Sequence, residues 1–540
     1  NKYTPSNIYQ SLGIASAKVG VNRSINWLNE NILTWNKTFK DIHSLNILGG
    51  FTIQRNNVES VTGASSNFVN DVMKYNNLGA GSIYDKPESS ATQWSLMSYL
   101  ARINYSLYDR YLFSVNGRVD GSSRFGGNNK YGFFPSGSVA WRISEEGFME
   151  PVKAVINNLK LRTSYGFTGN TEIGVYESLA TLESNSWTIG NQLVSGFYPN
   201  RIPNPDLKWE KTGQFDIGFD LGLFNNRLRL TADYYYKKTT DLLYNVAIPS
   251  ASGYDSMLKN IGSVQNKGYE LSIESDNLSG AFSWTTAFNI SFNRNKVLEL
   301  GGETYKDVGT YDDHLKTSDI RRLIVGQPIG VFYGYRFDGI FQNEAECAQQ
   351  TSSPSPIGVG LRRYKDLNGD GKIDATNDRE ILGDANPKFF GGMTNTFAYR
   401  GFELNVFLQY SYGNKIFNYN AMELESPTGG QNVYQDLVNR WTPTNPSNEY
   451  QKATTNRNNI VSDRFIEDGS FLKLKTVSLS YSFPKLNWKH IGGLRLYVTG
   501  QNLLTWTKYR GYDPEVSYRG ASTLEAGEDF GGYPQARTFM

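Results

Sequence analysis

The feature that most constrains this chain is a recurring alternation of apolar and polar residues. From Phe282 to Phe292 every second residue is apolar or aromatic except Thr286, and the residues between them are Ser, Thr, Ala and Asn. The pattern recurs in Phe402–Tyr412, Phe215–Leu223, Tyr111–Val119 and Leu494–Val498. Successive side chains of a β-strand point to opposite faces. Each stretch therefore predicts a strand with one apolar and one polar face.

Composition narrows the architecture further. The mean hydropathy is -0.48, and we find no apolar run near the ~20 residues that a membrane helix needs. Aromatic residues make up 14% of the chain and glycines number 53, which favours a large β architecture. The formal net charge of +2 gives no reason to expect a nucleic-acid partner. A single cysteine, Cys347, excludes an internal disulfide.

The connections between the predicted strands fall into two lengths. Tight turns are predicted at Leu107–Arg110, Phe224–Arg227, Ser275–Gly280 and Tyr399–Gly401. Long polar stretches separate them, and these are Thr168–Lys208, Lys237–Lys267, Asn293–Asn386 and Gly413–Ser470. Strands of about ten residues, with short turns at one rim and long loops at the other, are typical of outer-membrane barrels. We therefore predict an all-β fold, a large antiparallel transmembrane β-barrel with long extracellular loops and short periplasmic turns.

There is a physical reason why strands that cross a membrane close into a barrel. In lipid every backbone N–H and C=O must be paired within the protein, and strands achieve this only in a sheet without edges. A soluble sandwich or a propeller is the alternative, although we find no repeat of fixed period that a propeller would require. Asn1–Ile53 and Ile329–Leu361 alternate poorly, which leaves the number of strands open.

Several motifs resemble those of the SusC/RagA family of TonB-dependent outer-membrane transporters. They are spread over almost the whole chain: DGSSRFG at Asp120–Gly126, YGFFPS at Tyr131–Ser136, NLKLRTSYGFTGN from Asn158, NPDLKWE at Asn204–Glu210, DLNGD at Asp366–Asp370, Ile381–Pro387 leading into Phe389, and GGYPQAR at Gly531–Arg537.

The resemblance implies several properties of the complete protein. It implies about 22 strands with an N-terminal plug in the lumen, energy supplied through the TonB complex, and an outer membrane of a Bacteroidota-like Gram-negative bacterium with its lipid. It also implies a SusD-like surface lipoprotein as a lid, a dimer of transporter–lipoprotein pairs, and oligosaccharides or short peptides as cargo.

The residues given also depart from the family's pattern. We see no plug, no TonB box and no final strand after Met540. We therefore expect residues 1–540 to be part of a longer barrel protein.

One loop motif predicts a metal site. Oxygen-bearing side chains at alternate positions, followed by glycine at the sharp turn, are typical of EF-hand-type calcium loops. The candidate ligands are Asp366, Asn368, Asp370, the carbonyl of Lys372, Asp374 and Asp378. The twelfth position holds Asn377 instead of an acid, so the match is imperfect. The alternative is a turn rich in Asp, Asn and Gly, and a bound Ca²⁺ would be a structural cofactor.

The remaining candidates are weaker. Val433, Leu437, Val438 and Trp441 have helical spacing and predict a short amphipathic helix in the last long loop. Loop aromatics and carboxylates would line a cargo path or pack within the loops; these are Trp187, Tyr198, Tyr254, Tyr305, Tyr311, Asp312 and Asp313.

No catalytic residue is predicted, because the serine-hydrolase, HExxH and P-loop patterns are absent. We therefore expect a transporter and not an enzyme. The alternatives are a barrel that binds or adheres without uptake and a secreted carbohydrate-active enzyme.

Overall fold

The computed structural model describes residues 1–7, 13–254, 256–308, 320–426, 432–455, 459–484, 492–520 and 522–540. The chain divides into two compact units. The first unit contains Asn1–Val139, Tyr165–Gly213 and Thr240–Ile261. The second contains Ala140–Ser164, Gln214–Thr239 and Gly262–Met540.

Fourteen strands lie among the described residues before residue 262, and β7, β8, β11 and β12 have residues in both units. In chain order they are β1 Lys2–Thr4, β2 Ser16–Phe39, β3 His43–Phe68, β4 Gly81–Tyr84, β5 Glu88–Leu107, β6 Tyr111–Ser122, β7 Tyr131–Arg142, β8 Ile156–Asn170, β9 Thr181–Ile189, β10 Gln192–Arg201, β11 Glu210–Leu223, β12 Leu228–Thr240, β13 Leu243–Ala247 and β14 Ser256–Asn260. Within the first unit β2, β3, β5 and β6 pair antiparallel in sequence order. Two separate hairpins, β9–β10 and β13–β14, lie in the long loops.

The poorly alternating start of the chain contains β2 and much of β3. With 24 and 26 residues they are the longest strands in the described part of the chain. They pair without interruption from Ser16 opposite Ser66 to Phe39 opposite His43. Asn29 interrupts the apolar face of β2, but the backbone hydrogen bonds to β3 continue past it. Pairing across the sheet therefore produced strands where the side-chain pattern gave little sign of them.

From residue 263 onward the described residues of the second unit form sixteen further strands. They are β15 Ser263–Leu278, β16 Phe282–Glu299, β17 Tyr305–Val308, β18 Arg321–Ile324, β19 Val331–Tyr335, β20 Phe337–Ile340, β21 Arg362–Tyr364, β22 Arg379–Asp384, β23 Phe389–Tyr399, β24 Phe402–Tyr412, β25 Lys415–Asn418, β26 Ile466–Asp468, β27 Phe471–Ser482, β28 Arg495–Thr507, β29 Glu528–Asp529 and β30 Thr538–Phe539. The long ones pair antiparallel in the order β15, β16, β23, β24, β27, β28, and β30 adds a short pairing to β28.

The predicted tight turns are present. β5 and β6 are joined through Tyr108 and Asp109, which both have positive φ, as a type I′ hairpin requires. Arg400 and Gly401 join β23 to β24 in the same way. The turn after β15 is shorter than predicted, because that strand continues to Leu278.

The pairing of the strands also shows the two predicted faces, one apolar and one polar. In β24 the outward row Phe402, Val406 and Tyr410 lies opposite apolar residues of β27, whereas Asn405 lies opposite Ser478. Asn395 of β23 is an exception, since it falls on the outward face between Thr286 and Val406. Its amide oxygen accepts hydrogen bonds from the Trp284 indole at 2.9 Å and the Thr286 hydroxyl at 2.7 Å. Such internal partners are what a polar group facing lipid requires.

In the part of the chain that the structure describes, helical structure is confined to short segments. Two are α-helical, α1 Glu344–Cys347 and α2 Tyr419–Leu424. The 3₁₀ turns are Lys74–Asn76, Leu78–Ala80, Ile143–Glu145, Gly147–Val152, Ser250–Ser252, Gln435–Asn439 and Asp463–Phe465. No helix in the described residues is long and apolar enough to cross a membrane.

The predicted amphipathic helix from Val433 to Trp441 is wrong. Only the 3₁₀ turn Gln435–Asn439 forms there. Leu437 is buried, but Val438 is 71% exposed, because a single turn of this kind does not bring the two onto one face. Trp441 instead donates its indole N–H to Gln342 Oε1 at 3.1 Å.

The buried apolar clusters lie mainly among the loops. The largest, in the second unit, is formed by Ile320, Phe332, Phe417, Tyr419, Ala421, Met422, Val461 and Phe465. A cluster in the first unit consists of Phe125, Phe134, Leu207 and Trp209. The loops are therefore packed layers with cores of their own, which can hold polar side chains in fixed positions.

Candidate functional site

Two family motifs meet in the first unit. Phe125 of DGSSRFG is 1% exposed and packs its ring 5.0 Å from that of Trp209 in NPDLKWE. The Gly126 amide donates to the Leu207 carbonyl at 3.2 Å. A Cβ on Gly126 would overlap the carbonyl of Pro205, so only glycine fits. These motifs therefore hold loops of the first unit together.

Three asparagines add hydrogen bonds around the same aromatic cluster. Asn128 and Asn129 donate to the side chain and carbonyl of Asp206 at 2.9 and 3.0 Å. Asn204 donates to the carbonyl of Leu258 at 2.8 Å, which connects the motif to β14. Three loops of the first unit are thereby joined around one aromatic cluster.

A cavity of about 460 Å³ lies beside this cluster, within the first unit. Its polar wall includes Asn116, Arg118 and Asp120 of β6, and Phe134, Phe167 and Trp209 form its apolar side. The Arg118 guanidinium bonds the Asp120 carboxylate at 2.7 Å and the Ser98 hydroxyl at 2.9 Å. Arg118 is therefore held in place while nearly half of its side chain stays exposed, so it can contact a polar ligand.

A second cavity, of about 500 Å³, lies on the polar face of β15, β16, β23 and β24. Glu274, Asn289, Thr394 and Gln409 line it together with Phe407. Gly392 leaves room there for the Phe407 ring, because a Cβ at this position would come within 2.7 Å of that ring. Hydroxyl, amide and carboxylate groups around an aromatic ring can bind hydrophilic molecules.

The loop layer of the second unit is held by buried ion pairs. Glu425, 1% exposed, accepts from Arg464 at 2.7 Å and from Arg510 at 3.3 Å. Arg362 lies 4.0 Å from the same carboxylate and is equally buried. Burial lowers the pKa of Arg362, and the nearby Arg464 charge acts in the same direction. Removing Glu425 would leave buried cations without their partner, which is strongly destabilising.

A second buried pair connects distant parts of the sequence. Arg321 Nε donates to Glu528 at 3.0 Å, and both side chains are 1% exposed. Burial lowers the pKa of Arg321 and raises that of Glu528, and each partner's charge opposes that change. Tyr509 donates to Asp529 at 2.5 Å beside them, and burial together with this bond raises the pKa of the phenol.

The stretch after β28 is also anchored to the polar face of β27. Lys473 is buried and bonds Asp513 and Glu515, each at 2.6 Å. Lys475 and Gln409 bond the same Glu515 at 3.0 and 2.8 Å. Burial alone would raise the pKa of Glu515, but the two lysines outweigh it and hold this pKa below its ordinary value.

The six predicted calcium ligands lie between β21 and β22, and they are Asp366, Asn368, Asp370, Lys372, Asp374 and Asp378. Asp366 accepts backbone N–H groups of Gly369 and Gly371 at 2.6 and 2.7 Å, and these bonds, that of Gly371 foremost, hold its pKa below the ordinary value. Asp378 is fully buried and accepts from the Leu367 and Asp374 amides.

Other carboxylates of this loop also accept hydrogen bonds from backbone amides. Asp370 accepts from the Lys372 amide, and Asp374 accepts from the Thr376 and Asn377 amides, each at 2.8 Å. Within the described residues, no group of three or more His, Cys, Asp or Glu side chains is arranged to hold a metal ion. Calcium would have to recruit Asn368 and backbone carbonyls as well, and its binding stays a prediction.

The loop aromatics are placed as follows. Trp187 and Tyr198 pack edge to face across the β9–β10 hairpin, and Tyr198 donates to Glu183. One face of Tyr305 is covered by the Arg322 guanidinium, 3.9 Å from the ring centre. Tyr254 is half-buried in the loop before β14. Tyr311, Asp312 and Asp313 lie outside the described residues.

The comparisons with known proteins agree with this fold. Residues 2–503 match the family model described as TonB dependent receptor-like, beta-barrel. The chain therefore belongs to the TonB-dependent receptor β-barrel family, a class of outer-membrane proteins, which confirms the predicted fold class and location. Members of this family are transport proteins without enzymatic activity, in line with the expectation of a transporter and not an enzyme.

Individual relatives show which members of the family this chain resembles. The whole chain is 40% identical over 548 residues to TonB-dependent receptor P3 of Formosa agariphila, covering 54% of that protein. It is 32% identical to SusC of Bacteroides thetaiotaomicron over 83% of this chain and 43% of SusC. The fold matches the RagAB peptide transporter with a TM-score of 0.83 and 26% identity, over 99% of this chain and 57% of that one. The resemblance to SusC and RagA is thereby confirmed, and the chain spans about half the length of its curated relatives.

Sequence reasoning missed the buried charges. Arg321 and Glu528 are 207 positions apart, and Lys473 and Asp513 are 40 apart. Neither pair belongs to a local pattern. The positions of Asp513 and Glu515 two residues apart suggest a turn but not their partner in β27.

Proposed function

We propose that the complete protein imports a hydrophilic nutrient, an oligosaccharide or a short peptide, across the outer membrane with energy from TonB. The observation that carries the proposal is the similarity to SusC and to the RagAB peptide transporter along nearly the whole chain. The two polar cavities on inward strand faces support it, because a path for such cargo needs hydrogen-bonding walls.

We propose a SusD-like surface lipoprotein as the partner and a dimer of such pairs as the assembly. The packed loop layers support a lid, since their buried ion pairs would present a rigid surface to it. Mild-detergent purification of the native protein tests this. Co-elution of a lipoprotein at equal stoichiometry is expected, and elution of the transporter alone would contradict the proposal.

Uptake is tested in cells that carry or lack the gene, with and without active TonB. Labelled neutral oligosaccharides and labelled short peptides should distinguish the two cargo classes. Accumulation that requires both the gene and TonB is expected. Surface binding that persists without TonB, with no accumulation, would favour the alternative function of adhesion.

A matched pair of substitutions tests the second cavity as part of the cargo path. Thr394→Trp would fill the cavity of the inward face, whereas Met393→Trp adds the same ring on the outward face of the same strand. The first should lower uptake severalfold and the second should not. Equal uptake by both variants would exclude the cavity from the path.

A further inference from the structure

A groove opens on the lipid-facing side of the second unit, where the strands give way to loops. It has a volume of about 590 Å³ and lies between the ends of β24, β27 and β28. Its lower walls are Tyr410, Tyr412, Leu472 and Trp506. Tyr410 lies opposite Leu472, and Leu472 opposite Trp506, in the sheet register.

The strands that form the groove show on which side of the sheet it opens. Tyr410 and Tyr412 continue the apolar row of β24 that begins at Phe402 and includes Val406. Half of the Trp506 side chain is exposed, as is half of Tyr412. Since this row faces lipid, a molecule in the groove comes from the bilayer and not from the channel.

The upper rim of the groove is polar. Ser470 and Thr507 are joined by a hydrogen bond of 2.8 Å from the Thr507 hydroxyl to the Ser470 carbonyl. Asp468 Oδ1 accepts both the amide and the hydroxyl of Ser470, at 3.1 and 2.6 Å. Burial alone would raise the pKa of Asp468, but the Ser470 bonds and the nearby Lys415 and Lys508 charges outweigh it and hold this pKa below its ordinary value. Lys508 and Asp468 therefore place a cation and a hydrogen-bond acceptor close together at the polar end of an apolar groove.

We propose that this groove binds an outer-leaflet glycolipid that carries a phosphate, with one acyl chain along Leu472 and Trp506. The Lys508 ammonium binds the phosphate, and Asp468 Oδ2 accepts a sugar hydroxyl. Aromatic rings at the membrane interface and a lysine above them suit this amphiphile. Asp468 distinguishes a sugar headgroup, which offers hydroxyl donors, from a simple anionic phospholipid.

Native mass spectrometry of the full-length protein in mild detergent tests the proposal. The probes are lipid A, dephosphorylated lipid A and phosphatidylmethanol, an anionic phospholipid without a headgroup hydroxyl, each added at equal concentration. Lys508→Glu should reduce lipid A retention at least tenfold and leave retention of the dephosphorylated form unchanged. Trp506→Ala should reduce retention of both forms, because it removes the wall for the acyl chain.

Two matched variants provide the controls. Lys259→Glu makes the same charge change at an exposed position of β14, and Trp27→Ala removes a tryptophan of similar exposure from β2. Neither should change retention, and all variants should keep the heat-dependent electrophoretic shift of a folded barrel. Equal lipid A retention by wild type and Lys508→Glu, or equal retention of phosphatidylmethanol and lipid A, would overturn the proposal in favour of non-specific lipid contact.

Discussion

Replacing Val406 with arginine should destabilise the protein by about 2–4 kcal/mol, the cost of an arginine at the midplane of a membrane barrel. The magnitude follows from its position in β24. This strand has 11 residues, from Phe402 to Tyr412. At ~3.4 Å per residue it is about 37 Å long, and a tilt of ~40° reduces its height to about 28 Å. That height matches an apolar band of about 25 Å.

Val406 lies one residue from the centre of that strand, so its side chain is about 3 Å from the midplane. Aromatic residues that are half exposed, Phe402 and Tyr412, mark the two interfaces. The neighbouring Asn395 would not provide a hydrogen-bond acceptor for the new guanidinium. Its amide oxygen already accepts hydrogen bonds from Trp284 and Thr286.

Asn405→Arg is the matched control, because it adds the same side chain on the inward face. It removes one 3.0 Å hydrogen bond from the Asn405 amide to Thr396, which is worth about 1 kcal/mol. The full-length protein would be unfolded with guanidinium in lipid vesicles and followed by tryptophan fluorescence. Free energies of unfolding that agree within about 0.5 kcal/mol for the two variants, an interval typical of surface changes, would refute the assignment of the outward face.

Three further predictions concern the loops. Gly126→Ala should lower the melting temperature and expose the first-unit loops to protease, because its methyl group would overlap Pro205, whereas Gly127→Ala, which has open space, should behave as wild type. Glu515 has a lowered pKa, so its contribution to stability is present above the ordinary carboxyl value of 4.5 and is lost as the pH falls through the lower folded value. The hydrogen-exchange protection factors near residue 513, taken relative to the intrinsic exchange rate at each pH, should fall on acidification, and a Lys473→Met variant that kept the same pH dependence would disprove the role of the lysine. If the Asp366–Asp378 loop binds Ca²⁺, chelation should increase its protease sensitivity and Asp370→Asn should abolish that difference; a loop that digests equally with and without chelator would speak against calcium.

The strands and their two faces were predictable where polarity alternates without interruption. β24 was predicted at its observed bounds and β16 over its first eleven residues, because one side of each strand meets lipid and the other meets polar groups; β16 continues seven residues further, to Glu299. β2 was not, since Asn29 and Asn31 fall on its apolar face and its pairing with β3 compensates for them. The amphipathic helix near Leu437 failed for a related reason, because helical spacing over so few residues does not outweigh loop packing.

The candidate sites, too, could be predicted only in part from the sequence. The motif residues Phe125 and Trp209 could be recognised in the sequence, but their shared aromatic cluster needed the folded chain. The buried pair Arg321 and Glu528 had no sequence signal at all, since hundreds of residues separate its members. The lipid-facing groove likewise arises from the register between Leu472 and Trp506, which neither strand reveals alone.

The sequence by itself determined the class of this protein: alternation with a period of two, tight turns and family motifs specify an all-β outer-membrane barrel of the SusC/RagA kind. Only the tertiary structure decided which loop residues pack, which charges are buried and where cavities form. The physical reason is the range of the interactions involved. Strand alternation is a local response to lipid on one side and polar groups on the other, whereas buried ion pairs such as Lys473 with Asp513 depend on contacts that exist only once distant segments have come together.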